Sequence, residues 1–171
     1  SPDGQRLAVG TVDGLLTVYD PRTGKSLGRT TIAHPHSVTR IAYAADGRHL
    51  VSGDFNGNVW IWKVEDSVPV GAPVEQAPGS SISSIAYSTD GHQVAVGNQD
   101  GVVRRGDTET GQLVGSPMSA PGAVVAVAFT TDDTEIVSVH GDRVADPTVR
   151  RWNAQSGELL ATESIGLLTV A

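Results

Sequence analysis

The sequence predicts an all-β chain made of four copies of one unit, and three observations carry that expectation. Short β-branched and aromatic runs follow one another closely, Asp-Gly and Asn-Gly pairs punctuate them, and the pattern returns at spacings of 43, 44 and 42 residues. The clearest copy is Val38 to Lys63. It holds the runs Val38–Tyr43, His49–Ser52 and Asn58–Lys63, joined across Ala45-Asp46-Gly47 and across Asp54-Phe55-Asn56-Gly57. Runs of this kind separated by Asp-Gly and Asn-Gly turns form an antiparallel meander, because those residues tolerate the positive φ of tight hairpins.

The copies align on one motif. Ile41-Ala42-Tyr43 precedes Asp46-Gly47, Ile85-Ala86-Tyr87 precedes Asp90-Gly91, and Val127-Ala128-Phe129 precedes Asp132-Asp133. The chain opens at the same point, Ser1-Pro2-Asp3-Gly4, so the units are 1–43, 44–87, 88–129 and 130–171. A period of about 40–45 residues with four strands per unit is that of a WD40 propeller blade, and the chain resembles the WD40 family. Ala33-His34 stands where that family usually has Gly-His. Tyr19-Asp20, Trp62-Lys63, Gly106-Asp107 and Trp152-Asn153 stand where Trp-Asp is usual. The resemblance implies a WD40-type β-propeller segment, four repeats of four-stranded antiparallel blades.

Each unit then runs through an inner turn, strands b, c and d of one blade, and strand a of the next. Arg6–Gly10, Leu15–Asp20 and Lys25–Ile32 are strands b, c and d of the first blade, and Leu167–Ala171 is a last innermost strand. Four blades are fewer than the seven or eight with which the family usually closes. The expectation is an excerpt of a longer propeller, or a half-ring completed as a homodimer through open blade edges. A self-closed ring of four ranks lower.

Composition narrows the function. There are 12 Lys and Arg against 19 Asp and Glu, a net charge of −7, which disfavours a nucleic-acid surface. There is no cysteine for a disulfide or thiolate metal site. No apolar run approaches the length of a membrane-spanning helix, roughly 18–20 residues. Five histidines (34, 36, 49, 92 and 140) fix no third ligand by spacing, so no metal or other cofactor is expected. Ten Arg against two Lys, with Thr-Gly turns between strands c and d, resembles bacterial and in particular actinobacterial members of the family.

In the family, a His before strand a, a Ser or Thr on strand b, an Asp in the b–c turn and a Trp on strand c form a buried hydrogen-bonded chain. The matching positions in the second blade are His34, Ser52, Asn56 and Trp62, with Asn56 replacing the carboxylate, so His34 is expected to lack a charged partner. This network is structural. The third blade has Pro78, Val96, Asp100 and Gly106 in those slots, and the fourth has Ala120, Ser138, Asp146 and Trp152, so the network is expected to be mostly lost there.

Several motifs have plain structural readings. Thr23-Gly24-Lys25-Ser26 resembles a P-loop tail, but Tyr19 stands where that loop needs glycine and the slot recurs as a c–d turn. Arg105-Gly106-Asp107 is an accidental tripeptide at a strand end. Arg104-Arg105 and Arg150-Arg151 place a second Arg where Val18 and Ile61 sit; their stems are expected to lie on apolar surface with the heads in water. Such ladders are also a possible seat for a carboxylate-rich partner.

The function expected is a non-catalytic protein–protein interaction scaffold or sensor module, cytoplasmic and part of a larger signalling or regulatory protein. Its partners are other proteins or other domains of the parent chain, not nucleic acid or membrane. The d–a and b–c loops supply the candidate contacts: His36, Asp54, Phe55, Asn98, Gln99, His140, Asp142 and Arg143, with Phe55 leading as a large apolar residue at a turn tip. The loop carrying Asp142 and Arg143 is four residues longer than its counterpart in the second blade. Trp60 joins these as an aromatic anchor, blade packing being its plainer reading. A propeller enzyme, such as a lactonase or quinoprotein, is the less favoured alternative. Strand a offers Thr39, Arg40, Ser83, Ser84, Val125, Ala126, Leu168 and Thr169, with no carboxylate or histidine for acid–base chemistry.

Overall fold

The structure is a computed structural model that describes residues 1–27, 31–32, 34–65, 68–70, 72, 74–75, 78–141 and 147–165. Among the described residues there is no helix, and the strands fall into four antiparallel sheets. The first blade holds β1 (Leu7–Gly10), β2 (Leu15–Tyr19) and β3 (Thr31–Ile32). The second holds β4 (Val38–Tyr43), β5 (His49–Asp54) and β6 (Asn58–Lys63), with an outer strand split into β7 (Val68–Pro69) and β8 (Val74–Glu75). The third comprises β9 (Ile82–Tyr87), β10 (Gln93–Asn98), β11 (Val102–Asp107) and β12 (Leu113–Ser119). The fourth comprises β13 (Val124–Phe129), β14 (Glu135–His140), β15 (Thr148–Asn153) and β16 (Leu159–Ser164). β7 pairs with Trp62 and Lys63 while β8 pairs with Asn58 and Val59, so one outer strand is interrupted between two ends of β6.

These are the blades the repeat predicts. Some boundaries move: β1 begins at Leu7 and not Arg6, β2 ends at Tyr19 and not Asp20, and β5 runs on to Asp54, two residues past the expected end at Ser52. Of the expected strand Lys25–Ile32, the described residues place Thr31–Ile32 in β3 and Ser26 in an isolated bridge to Tyr19. The last innermost strand, with Leu167, Leu168 and Thr169, and the homodimer edge Leu167–Ala171 lie outside the described residues, as do Asp142 and Arg143.

There is no single core. Strand side chains alternate between faces, and each face meets a different neighbour, which yields three apolar layers. Leu16, Leu50, Trp62 and Val64 fill the gap between blades one and two. Val51, Val59, Ile61, Ile82, Val94 and Val96 fill the next. Val103, Met118, Val124, Ile136 and Trp152 belong to the third.

Two devices bring neighbouring blades close. Strand b of blades one to three carries a glycine, Gly10, Gly53 and Gly97, facing the first residue of the next strand a. A Cβ there would lie 2.5, 2.6 and 2.3 Å from a methyl carbon of Val38, Ile82 and Val124 respectively. The second device is a hydroxyl on strand a. Thr39 Oγ1 donates to the Ile82 carbonyl at 2.8 Å, and Ser83 Oγ donates to the Val124 carbonyl at 2.6 Å. In blade four both slots are valine, Val139 and Val125.

Asp133 adds a bridge between blades three and four. It stands where Gly47 and Gly91 stand in earlier units and keeps their positive φ, at 56°. Its carboxylate accepts the backbone N–H groups of Thr89 and Asp90 at 2.8 and 3.3 Å, which offsets the conformational cost of a left-handed non-glycine residue.

Candidate functional site

The antiparallel order places b–c turns and d–a loops at one end of every blade, and a–b and c–d turns at the other. The loop end of blade two rests on a buried polar chain. Ser52 and Asp54 are two apart on β5 and so share a face; Trp60 and Trp62 lie on that face of β6. Trp62 Nε1 donates to Ser52 Oγ at 2.9 Å. The serine hydroxyl, holding an acceptor role there, donates in turn to His34 Nε2 at 2.7 Å. That leaves the imidazole proton on Nδ1, which faces Asp54 Oδ2 at 3.3 Å.

The carboxylate in this chain is Asp54, not Asn56. This corrects the sequence expectation that His34 lacks a charged partner. Asp54 is the last residue of β5, and its other oxygen, Oδ1, accepts the N–H groups of Asn56 and Asn58 at 2.9 and 2.8 Å, closing the b–c turn. Asn56 instead accepts from Gly79 N–H, tying the turn to the loop before β9. Strand alternation from Ser52 was the signal that would have found Asp54.

Ser, His and Asp in this order resemble a hydrolase triad, but all three side chains are buried and the serine oxygen already holds two bonds. No substrate reaches that oxygen. The arrangement can rigidify a turn and cannot attack a carbonyl.

The Asp54 slot in blade three is Asn98, whose Oδ1 caps its turn through the N–H groups of Asp100 and Val102 at 3.1 and 2.9 Å. In blade four the slot is His140. Trp152 Nε1 donates to Ser138 Oγ at 2.7 Å, Ser138 lies 2.8 Å from His140 Nε2, and His140 Nδ1 faces the Gly122 carbonyl at 3.3 Å. The network expected to be lost in blade four is rebuilt with histidine in the acid's place. Asp54, Asn98 and His140 are fully buried, so they hold turns from beneath and are not contact residues. Trp60 is half-buried, stacked on Trp62 at 5.5 Å and edge-on to His34, which is the packing role.

Burial pushes the pKa of both His34 and His140 below the ordinary histidine value of 6.5; for His34 the opposing pull of Asp54 is smaller. Both are therefore neutral at pH 7 in the folded chain. Below about pH 6.5 the unfolded chain takes up protons that the folded chain refuses, so stability falls with acidification and is fully present above that pH. Urea midpoints measured from pH 8 to 5 should drop below pH 6.5, and His140→Asn should flatten part of that slope. An unchanged slope would show that His140 titrates alike in both states.

What remains on the surface at this end is a row of turn tips. Phe55 is 61% exposed, and its N–H donates to the Ser37 carbonyl at 2.9 Å, which sets it beside exposed His36. Gln99, its counterpart in blade three, is exposed and makes the same bond to Ser81 at 3.0 Å. The counterpart in blade one, Val12, is 79% exposed. Sequence reasoning missed Val12, although repeat register aligns it with Phe55. Two adjacent blades thus carry bare apolar tips over a rigid base.

Residues 25–63 match the family model described as "WD domain, G-beta repeat". That stretch is similar to a WD40 repeat. Residues 61–132 match a second model, "Anaphase-promoting complex subunit 4 WD40 domain". Among curated relatives, "WD repeat-containing protein 1" of Mus musculus is 34% identical over 82 residues, covering 43% of this chain and 13% of the relative. "Guanine nucleotide-binding protein subunit beta" of Oryza sativa subsp. indica is 38% identical over 68 residues, 36% of this chain and 18% of the relative. The "66 kDa stress protein" of Physarum polycephalum is 34% identical over 64 residues, 36% of this chain and 10% of the relative. The chain spans less than a fifth of each of these relatives. These relatives are eukaryotic and lend no support to the bacterial resemblance read from composition.

Proposed function

We propose that this WD40 array is a non-catalytic platform that docks a partner protein, or another domain of its parent chain, on the b–c and d–a loop face. The parent is a cytoplasmic signalling or regulatory protein. The observation carrying this reading is Phe55, a bare aromatic residue on a turn locked by the buried Asp54–His34–Ser52–Trp62 chain. A rigid, solvent-exposed aromatic loses little entropy on binding and buries a large apolar area. His36, Gln99 and Val12 provide a mixed rim around it.

The discriminating variant is Phe55→Ala. With most of its ring in water, its melting temperature should fall by no more than about 2 °C, because exposed side chains away from special features contribute within about 0.5 kcal/mol. Proteins captured by immobilised wild type should be lost from the alanine variant at equal loading, and a captured set that survives the change would sink the reading. A drop of several degrees would mean that the ring packs on its neighbours in solution.

A further inference from the structure

The opposite end of the array holds a second feature, unrelated to the loop face. Between blades three and four, a cleft of about 380 Å³ opens among the a–b turn of blade four, its c–d turn and strands b and c of blade three. Gln93, Arg105, Asp133, Thr134, Asn153 and Gln155 line it. Arg105 occupies the slot that Val18 and Ile61 fill in blades one and two, and Ile61 is part of an apolar layer there.

Arg105 departs from the expectation that its head lies in water: the residue is only 4% exposed. Its Nη1 donates to Gln93 Oε1 at 3.2 Å and its Nη2 to the Gln155 carbonyl at 2.7 Å, while Nε has no partner. Both acceptors are neutral. Among the described residues no carboxylate lies within ion-pair distance of it. Arg151, in the same slot of blade four, shows what is missing: Glu135 meets it with two bonds of 2.6 and 2.8 Å.

The backbone makes room for this charge. Gly115 has a φ of 73°, and a Cβ there would lie 2.7 Å from Arg105 Nη2. The positive φ favours glycine, and a side chain there would have to displace the guanidinium. Desolvation draws the guanidinium's pKa below its ordinary value, with no opposing charge to raise it. A buried cation without a counter-charge is costly, whereas a guanidinium fork and a carboxylate match bidentately.

We propose that this cleft is a carboxylate-binding site anchored by Arg105. Asp133 also lines it, with its own charge held by Thr89 and Asp90. That second charge repels phosphates and polyacidic chains, so the ligand is a single carboxylate, with Gln93, Asn153, Gln155 and Thr134 available to its polar surroundings. The carboxylate comes either from a glutamate side chain in a peptide segment or from a small free acid.

Titrations of the protein at matched ionic strength, followed by the backbone amide resonances of Ala154 and Gln155, separate these cases. The probes are the peptide acetyl-Gly-Glu-Gly-amide, its neutral analogue acetyl-Gly-Gln-Gly-amide, and sodium acetate against sodium chloride. The expected result is a saturable shift with the Glu peptide and none with the Gln peptide. An equal response to acetate assigns the free acid, and a response to the peptide alone assigns the peptide. Arg105→Ile should melt cooperatively, since Ile61 fills the equivalent slot, and should abolish the shift. Arg105→Lys, with charge but no fork, should weaken it several-fold. A Gln peptide that shifts the resonances as strongly, or a response that persists in Arg105→Ile, overturns the proposal. So does a response linear in concentration. Phe55→Ala should leave the titration unchanged, which separates this site from the loop face.

Discussion

Alanine at Trp62 is expected to lower the unfolding free energy by about 3–5 kcal/mol, the range for truncating a buried Trp or Phe. The indole fills the layer between blades one and two with Leu16 and Leu50, and stacks on Trp60. It also donates to Ser52, the residue that orients His34. Truncation therefore opens a cavity and leaves a buried serine oxygen short of one donor, two costs that add. Phenylalanine at the same place separates them: it keeps most of the packing and removes only the N–H, at about 1–2 kcal/mol. Urea unfolding followed by circular dichroism would measure both. A loss under about 1 kcal/mol for Trp62→Ala would mean that the layer repacks around the gap.

The second large effect concerns a residue with no side chain. Gly97→Ala should cost about 1–3 kcal/mol, as over-packing does. The new methyl would sit 2.3 Å from Val124 Cγ1 and 3.2 Å from Val127 Cγ1, both on β13 of the next blade. Rigid backbones on both sides leave only rotamer changes or a blade shift to relieve it. Val124→Ala opens a small cavity at that spot and is itself destabilising, yet the double variant should recover at least about 1 kcal/mol of the sum, since contacting residues couple. Strict additivity of the two losses would show that the blades do not touch there in solution. Val139→Ala, at the equivalent slot of blade four, should be mild by comparison.

The fold was legible because its repeat is long and its punctuation strong. β4 and β6 begin and end where alternation and Asn-Gly turns put them. The network was half legible. His34, Ser52 and Trp62 were found by register, whereas Asp54 was displaced to Asn56 because the turn residues looked continuous with it. His140 was read as a loop contact for the same reason: a strand end and a turn start are alike in composition. Its burial follows from Ser138 lying two residues earlier on the same face. Arg105 was not legible at all. Its burial depends on Gln93 and Gln155 from two blades and on the space left by Gly115, none of which is local to the Arg-Arg pair.

The glycine slots and strand-a hydroxyls also act as a seating code for modules. Blades two and three each offer a hollow and a hydroxyl to the first strand of the blade that follows. Blade four offers Val139 and Val125 instead. A tandem copy of blade three inserted into the array should therefore seat as its original does. A tandem copy of blade four should not, until Val139→Gly and Val125→Ser restore the hollow and the donor.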